Sequence, residues 1–160
     1  MKKLISALLV ALFVSACGQE QSEMSAADGD WRHHGGNHRS DKYSPLDQVN
    51  GSNFALLEVA WRYRSPDLDL PEELAYPTGD YRAMPLVING VMYVNSNHGL
   101  ISALDPVTGE EHWVFDPKSY EYGPPLFSPL QTRGIEYWTD GNIERLFIAC
   151  LLYTSPSPRD

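Results

Sequence analysis

Cysteine and basic residues are both scarce in this chain. It has two cysteines among 160 residues, and 12 lysines and arginines against 21 aspartates and glutamates, so its formal net charge is −9. Cys17 and Cys150 fall in segments interpreted below as a leader and a tail, and no disulfide is expected between them. A nucleic-acid partner is disfavoured, because such a surface needs a basic patch to displace counterions.

Short catalytic signatures are missing as well. The sequence has no P-loop, no glycine fingerprint of a dinucleotide site, and no Ser/His/Asp or Cys/His arrangement in a recognisable context. His33, His34 and His38 are clustered, but no carboxylate or Cys has the spacing that zinc sites show. A metal site at these histidines is therefore the weaker interpretation, and a structural role is favoured.

The apolar run near the N-terminus is too short to cross a bilayer as a helix. Leu4–Val14 follows Lys2 and Lys3, which together predict a secretory signal peptide over residues 1–16. The location predicted for the rest of the chain is therefore outside the cytoplasm.

Small residues before Cys17 resemble a bacterial lipobox. Cys17 is then predicted to be diacylated and to become the mature N-terminus, and Gly18 in place of Asp suits transfer to the outer membrane. Residues 17–30 are polar and acidic, which predicts a flexible lipidated tether. Membrane contact would be through this lipid anchor alone, on the periplasmic side. The alternative is ordinary secretion with a chance Cys.

Residues 82–115 contain four short apolar stretches with a turn signal after each of the first three. Asn89-Gly90 favours a tight type I′ hairpin, because both residues tolerate a positive φ. Such even spacing favours a β-sandwich or a β-propeller. The predicted strands are 84–88, 91–95, 100–104 and 111–115.

The last turn of this unit has the pattern A-x-D-x-x-T-G-x-x-x-W. Ala103 is small enough for another side chain to lie over it, and Asp105 can accept hydrogen bonds from turn amides. Gly109 supplies a positive φ, and Trp113 offers a flat ring for stacking between neighbouring blades. A surface hairpin with a chance Trp is the competing interpretation, and the agreement of turn, spacing and aromatic residue disfavours it.

With this motif the chain resembles the pyrroloquinoline quinone (PQQ) quinoprotein dehydrogenases, whose eight blades are locked by its repeats. Residues 31–50 are similar to the segment that opens these proteins, with its Trp, its Gly-Gly turn and a Tyr-Ser-Pro-Leu run. The resemblance implies an all-β fold, here a propeller fragment over residues 31–149. It implies that residues 31–50 fix the N-terminus against the propeller.

The remaining segments are assigned around that blade. Within residues 53–64, one face of the stretch 57–63 is apolar, which predicts a strand. The resemblance implies that this strand helps to close the ring against the last blade. Residues 65–81 are rich in Pro and acidic residues and are predicted to form a long surface loop. A merely solvated loop is favoured, and the alternative is a loop at the propeller mouth that shapes substrate access. Residues 135–138 and 145–149 predict the first two strands of the next blade.

The final segment, residues 150–160, reads CLLYTSPSPRD. It is identical to the translation of a transposase sequencing adapter. It is therefore predicted to be an artefact and is excluded from the fold. A natural Pro/Ser-rich tail is the competing interpretation.

The cofactor-binding residues implied by the resemblance are Arg133 and Arg82. Thr132-Arg133-Gly134 resembles the family's segment just after the first blade, and a guanidinium can bind a PQQ carboxylate through two parallel N–H bonds. Arg82 stands where many members carry a Glu, and it is the second candidate carboxylate partner. The alternative for Arg133 is an ordinary strand-edge residue.

Two further differences between this sequence and the family's pattern are relevant to the substrate. The alcohol-oxidising members have a Cys-Cys pair shortly before the Arg, whereas this chain has Leu130-Gln131-Thr132. Pro129 stands where glucose-oxidising membrane members tend to have a His. The stretch 96–113 is nonetheless closer to the glucose-type enzymes.

The resemblance implies an oxidoreductase acting on CH–OH groups of a glucose-like sugar or an alcohol, with electrons passing to a respiratory quinone or cytochrome. It also implies Ca²⁺ as a Lewis acid. The catalytic Asp and the Ca²⁺ ligands are expected beyond residue 149, so no catalytic or metal-binding residue is assigned here, and the chain alone is expected to be inactive.

A second family shares the lipobox and the A-x-D-x-x-T-G-x-x-x-W repeats. It comprises non-enzymatic lipoprotein propellers that act as scaffolds in outer-membrane protein assembly. Residues 31–46 and 132–138 favour the dehydrogenase, because a scaffold does not need them.

Overall fold

A computed structural model gives the architecture of residues 29–123 and 134–148. Within these ranges the regular structure is β-strand with short 3₁₀ turns, and no α-helix is present. The 3₁₀ turns are Phe54–Leu56, Pro66–Asp69, Glu72–Leu74 and Ser119–Tyr122. The strands are β1 (Leu86–Ile88), β2 (Val91–Asn95), β3 (Ile101–Leu104), β4 (Glu111–Phe115), β5 (Ile135–Thr139) and β6 (Glu144–Ile148).

The first four strands form one antiparallel sheet in the order β1-β2-β3-β4, as predicted for a propeller blade. β1 begins two residues later than predicted, after Pro85, which has no N–H to give to a strand ladder. β3 begins at Ile101 because Leu100 closes the preceding turn, where its carbonyl accepts from the Ser96 N–H at 2.8 Å.

Strands β5 and β6 form a separate antiparallel hairpin. Asp140 sets its turn, because one carboxylate oxygen accepts from the N–H groups of Asn142 and Ile143, both at 2.8 Å. The predicted start of a second blade is therefore present. Ala149, the last residue of its predicted second strand, lies outside the described residues.

The turn glycines behave as predicted. Asn89 and Gly90 have φ values of 51° and 77°, as a type I′ turn requires. Gly109 has a φ of 73°, and a Cβ placed on it would lie 2.5 Å from Cδ2 of Trp61. Gly109 is thus required both for its backbone conformation and for space, whereas a Cβ on Gly90 would meet nothing within 4 Å.

The predicted strand over residues 53–64 is wrong in this structure. Phe54–Leu56 is a 3₁₀ turn, and the described residues provide no strand to pair with the segment that follows. Trp61 and Tyr63 instead contact the blade by side chain. Nε1 of Trp61 donates to the Pro106 carbonyl at 3.2 Å. The Tyr63 hydroxyl donates to the Glu111 carboxylate and lies 2.9 Å from the Ser102 hydroxyl. Alternating apolar residues indicate that one face of the segment is apolar. A strand also requires backbone hydrogen bonds to a neighbouring strand.

The core lies where the sheet meets the hairpin. Trp31 forms an antiparallel bridge with Val87 of β1, through N–H to carbonyl bonds of 2.7 and 3.0 Å. The N-terminal segment therefore lies against the blade, as the resemblance implied. The core residues are Leu86, Ile88, Ile101, Ile135 and Tyr137, with Trp31, Tyr93, Leu146 and Ile148 packed around them.

The sheet and the hairpin are also joined by polar contacts. Arg32 donates to Asp30 at 2.8 Å and to the side chain of Asn89 at 2.9 Å. Asn89 in turn donates to Glu144 at 3.0 Å, and the Tyr137 hydroxyl donates to the same Glu144 oxygen at 3.0 Å. Burial, followed by the bond to Glu144, raises the pKa of Tyr137, so its hydroxyl stays a donor.

The described residues form no helix that is long and apolar enough to cross a membrane.

Candidate functional site

The starts of β1 and β5 lie side by side. A Cβ placed on Gly134, just before β5, would lie 3.8 Å from Ala83 and from the backbone nitrogen of Met84. We call residues 82–84 and 134–135 the strand-start edge. The structure thus brings the residue following Arg133 next to the residue following Arg82, although some fifty positions separate them in the sequence.

Arg82 is exposed at this edge. Its side chain is 55% accessible, and Nη2 lies 2.9 Å from a carboxylate oxygen of Asp80. An exposed ion pair of this kind contributes little to stability, so the guanidinium can exchange one carboxylate for another at small cost. Arg82 is therefore available to bind one carboxylate group from outside the chain. Arg133 lies outside the described residues, and its role stays a prediction.

The described residues contain no cluster of side chains that could bind a metal ion. Among the described residues, no three His, Cys, Asp or Glu side chains are close enough to hold one ion. His33 is used differently: its Nδ1 lies 2.7 Å from Glu136 on β5, and its ring centroid is 4.0 Å from that of His38. Through these contacts, His33 links the N-terminal segment to the hairpin.

The turn motif has the local geometry that its residues predict. One oxygen of Asp105 accepts from the backbone N–H of Thr108 at 2.9 Å and of Val107 at 2.7 Å. Ala103 is fully buried and is paired in register with Trp113, whose ring centroid lies 5.9 Å from that of Tyr93. Trp113 remains 45% exposed. Its predicted stacking against a neighbouring blade stays a prediction.

We expect Asp105 to titrate below its ordinary pKa of 3.8, because the N–H groups of Thr108 and then Val107 stabilise the carboxylate. Because the pKa is lower in the folded state, the ionised carboxylate stabilises the fold at pH values above about 3.8. This contribution to stability is lost as the pH falls through the pKa of the folded state. Carboxyl NMR resonances followed from pH 6 to pH 2 would measure the midpoint, and Asp105→Asn would identify the resonance. A midpoint at or above 3.8 would contradict the prediction.

A cavity of about 740 Å³ lies between loop 65–81 and the side chains of β2 and β3. We call it the loop cavity. It extends to Tyr81 and Pro85, which flank the strand-start edge. Loop 65–81 was predicted to be merely solvated, and the structure differs: two 3₁₀ turns fold part of it over the blade.

Two residues that sequence analysis did not single out hold this loop. Nδ1 of His98, in the β2–β3 turn, lies 3.0 Å from Oδ2 of Asp67 in the loop. The side chains of His98 and Asp67 are 3% and 14% accessible. No sequence signal could have paired them, because the contact depends on how the loop folds back onto the blade.

Comparisons with known proteins agree with this architecture. The family profile described as "Glucose/ethanol/alcohol dehydrogenase, beta-propeller domain", of the PQQ proteins, matches residues 31–154. The match runs into the segment assigned to an adapter, so the boundary at residue 150 stays a prediction.

Two curated relatives illustrate the similarity. The chain is 38% identical over 97 residues to the "Alcohol dehydrogenase (quinone), dehydrogenase subunit" of Gluconobacter oxydans, a match that covers 61% of this chain and 12% of the relative. It is 34% identical over 122 residues to "Quinoprotein glucose dehydrogenase A" of Acinetobacter calcoaceticus, covering 76% of this chain and 15% of the relative.

A solved structure is similar as well. The quinohemoprotein alcohol dehydrogenase from Comamonas testosteroni matches with a TM-score of 0.51 and 30% identity, over 68% of this chain and 15% of that one. The chain thus spans only 12% to 15% of the length of these three proteins.

Proposed function

Because this chain belongs to the PQQ family of glucose, ethanol and alcohol dehydrogenases, we propose that it is part of an oxidoreductase that oxidises a CH–OH group of a sugar or an alcohol. The observation that carries the proposal is the family match over residues 31–154, together with the folded blade at residues 86–115. The relatives named above are dehydrogenases, which supports this function over a non-enzymatic scaffold.

Arg133 and Arg82 are the residues that would hold PQQ in this part of the protein. When bound, PQQ supplies an ortho-quinone that takes up two electrons from the substrate. Their guanidinium groups would bind its carboxylates and would fix its orientation. The shared location of their neighbours Gly134 and Ala83, at the strand-start edge, supports a joint role.

The finer assignments belong to the same proposal. They are a glucose-like substrate, Ca²⁺ held by residues beyond 149, a respiratory quinone or cytochrome as acceptor, and periplasmic attachment through a lipid on Cys17. The lipobox supports the anchor, and the names of the relatives support the substrate class and a quinone. Mass spectrometry of the membrane-extracted protein, which would show a diacylglyceryl group on Cys17, tests the anchor.

The function is tested on the gene from which the chain derives. The DNA should be sequenced across codon 149 from a library made without transposase tagging, and the encoded protein assayed for PQQ-dependent dye reduction with glucose and with ethanol. We expect the frame to continue into further blades and activity to require PQQ. A frame that ends in the CLLYTSPSPRD codons, or a long propeller without this activity, would count against the proposal.

We expect Arg133→Lys in that longer protein to weaken PQQ binding about tenfold, because an ammonium cannot make two parallel N–H bonds to one carboxylate. Titration of the apoprotein with PQQ, followed by quenching of Trp fluorescence, measures the effect. Arg62→Lys, at an exposed position outside the strand-start edge, is the matched control and should bind normally. Unchanged affinity in Arg133→Lys would remove Arg133 from the site.

A further inference from the structure

The loop cavity is large enough to hold a small molecule. Its volume of about 740 Å³ is within the range of small-molecule sites. The blade contributes Met92, Val94 and Leu104 to its lining, and the loop contributes Pro66 and Pro77. Apolar side chains therefore line the cavity from both sides. A ligand with an apolar body would gain free energy by leaving water for this space.

Aromatic side chains form a further part of the wall. Trp61, Tyr63, Tyr76 and Tyr81 all line the cavity. A flat ring packs against aromatic side chains in offset or edge-to-face arrangements, and these arrangements are more favourable than the buried area alone would make them. The wall therefore favours a ligand that contains a ring.

The lining offers a ligand no free charge. Neither Lys nor Arg is among the lining residues, all of which belong to the described part of the chain, and Asp67 is the one carboxylate. Oδ2 of Asp67 faces His98: it lies 3.0 Å from Nδ1 and accepts from the backbone N–H at 3.4 Å. Oδ1 of Asp67 is buried. A charged ligand would lose its hydration here without meeting an opposite charge, which is costly.

Tyr81 supplies a neutral hydrogen-bond donor at one end of the cavity, beside the strand-start edge. Burial raises the pKa of the Tyr81 hydroxyl, so this group stays protonated around neutral pH. A protonated phenol donates to a hydroxyl oxygen as well as to a charged group. The cavity thus combines an apolar, aromatic wall with one uncharged polar contact.

We propose that the loop cavity binds a small, uncharged aromatic compound that carries a hydroxyl group. The aromatic side chains pack against its ring, and the Tyr81 hydroxyl donates to its oxygen. This inference does not depend on the proposed oxidoreductase function, because binding to residues 61–104 is measured without PQQ or turnover.

The test compares three ligands that share one ring and differ in charge: benzyl alcohol, benzoate and benzylammonium. Each is titrated at pH 7 and constant ionic strength into the 160-residue chain, and the amide NMR resonances of Val94 and Leu104 are followed. We expect benzyl alcohol to shift both resonances until they saturate. We expect it to bind at least about tenfold more tightly than either ion, because neither ion meets an opposite charge in the wall.

The net charge of the chain cannot produce the same result. A formal net charge of −9 would attract benzylammonium and repel benzoate, so it would separate the two ions instead of weakening both. Binding of either ion as tight as that of benzyl alcohol would overturn the proposal. The absence of saturable shifts up to about 20 mM benzyl alcohol would overturn it as well.

Tyr76→Leu removes one aromatic ring from the wall and leaves an apolar side chain. It should weaken the binding of benzyl alcohol about threefold. Tyr122→Leu is the matched control and should bind normally, because Tyr122 is 78% exposed and lies outside the cavity. Equal affinities in the two variants would contradict a site at the loop cavity.

Circular dichroism checks that both variants are folded. If Tyr76→Leu is not, the comparison of the three ligands on the parent chain decides by itself, since it needs no substitution.

Discussion

Gly109→Ala should destabilise the blade by about 3 kcal/mol, the largest effect that we expect from adding a single methyl group. Two costs combine. The backbone has a φ of 73°, where a Cβ costs about 1 kcal/mol. The new Cβ would also lie 2.5, 2.6 and 2.9 Å from three ring atoms of Trp61. That ring cannot easily move away, because its Nε1 donates to the carbonyl of Pro106 in the same turn.

Gly90→Ala is the matched control. Gly90 has nearly the same φ, 77°, but open space around the position of a Cβ. Its replacement should cost about 1 kcal/mol, from backbone strain alone. Urea unfolding followed by far-UV circular dichroism gives both values.

A double-mutant cycle isolates the contact with Trp61. In a Trp61→Ala background the ring is gone, so Gly109→Ala should cost only as much as Gly90→Ala does in the parent chain. If Gly109→Ala is no more destabilising than Gly90→Ala in the parent itself, Trp61 does not lie over the turn as the structure shows.

Leu86→Ala should destabilise the fold by about 3 kcal/mol, because it removes buried methyl groups and leaves a cavity that its neighbours cannot fill. Leu86 is fully buried, in the cluster that joins β1 to Ile135 and Tyr137 of the hairpin. The substitution should therefore also loosen the hairpin, with faster hydrogen exchange at the amide of Tyr137.

Leu56→Ala provides the comparison for this variant. The Leu56 side chain is 77% exposed, so its truncation should change the free energy of unfolding by no more than about 0.5 kcal/mol. Urea unfolding measures both variants under the same conditions. If the two differ by less than about 1 kcal/mol, the cluster around Leu86 is not what joins the sheet to the hairpin.

Much of this fold could be predicted from the preferences of residues that are close together in the sequence. Asn89-Gly90 and the pattern from Ala103 to Trp113 depend on φ preferences and on hydrogen bonds between residues close in sequence, and both turns form as predicted. The bounds of β2 and β4 also agree with the apolar stretches. Such features are decided within a few residues, so the order of the amino acids is enough to predict them.

Long-range contacts decided the rest. Residues 57–63 have the alternation of a strand, yet they form none, because pairing depends on a backbone that the segment itself cannot supply. The contact of Asp67 with His98, and the approach of Gly134 to Ala83, join residues far apart in the chain. The sequence by itself determined the blade and its turns. Only the tertiary structure decided which side chains surround the loop cavity and which residues meet at the strand-start edge, because those neighbours are brought together by packing rather than by local backbone preference.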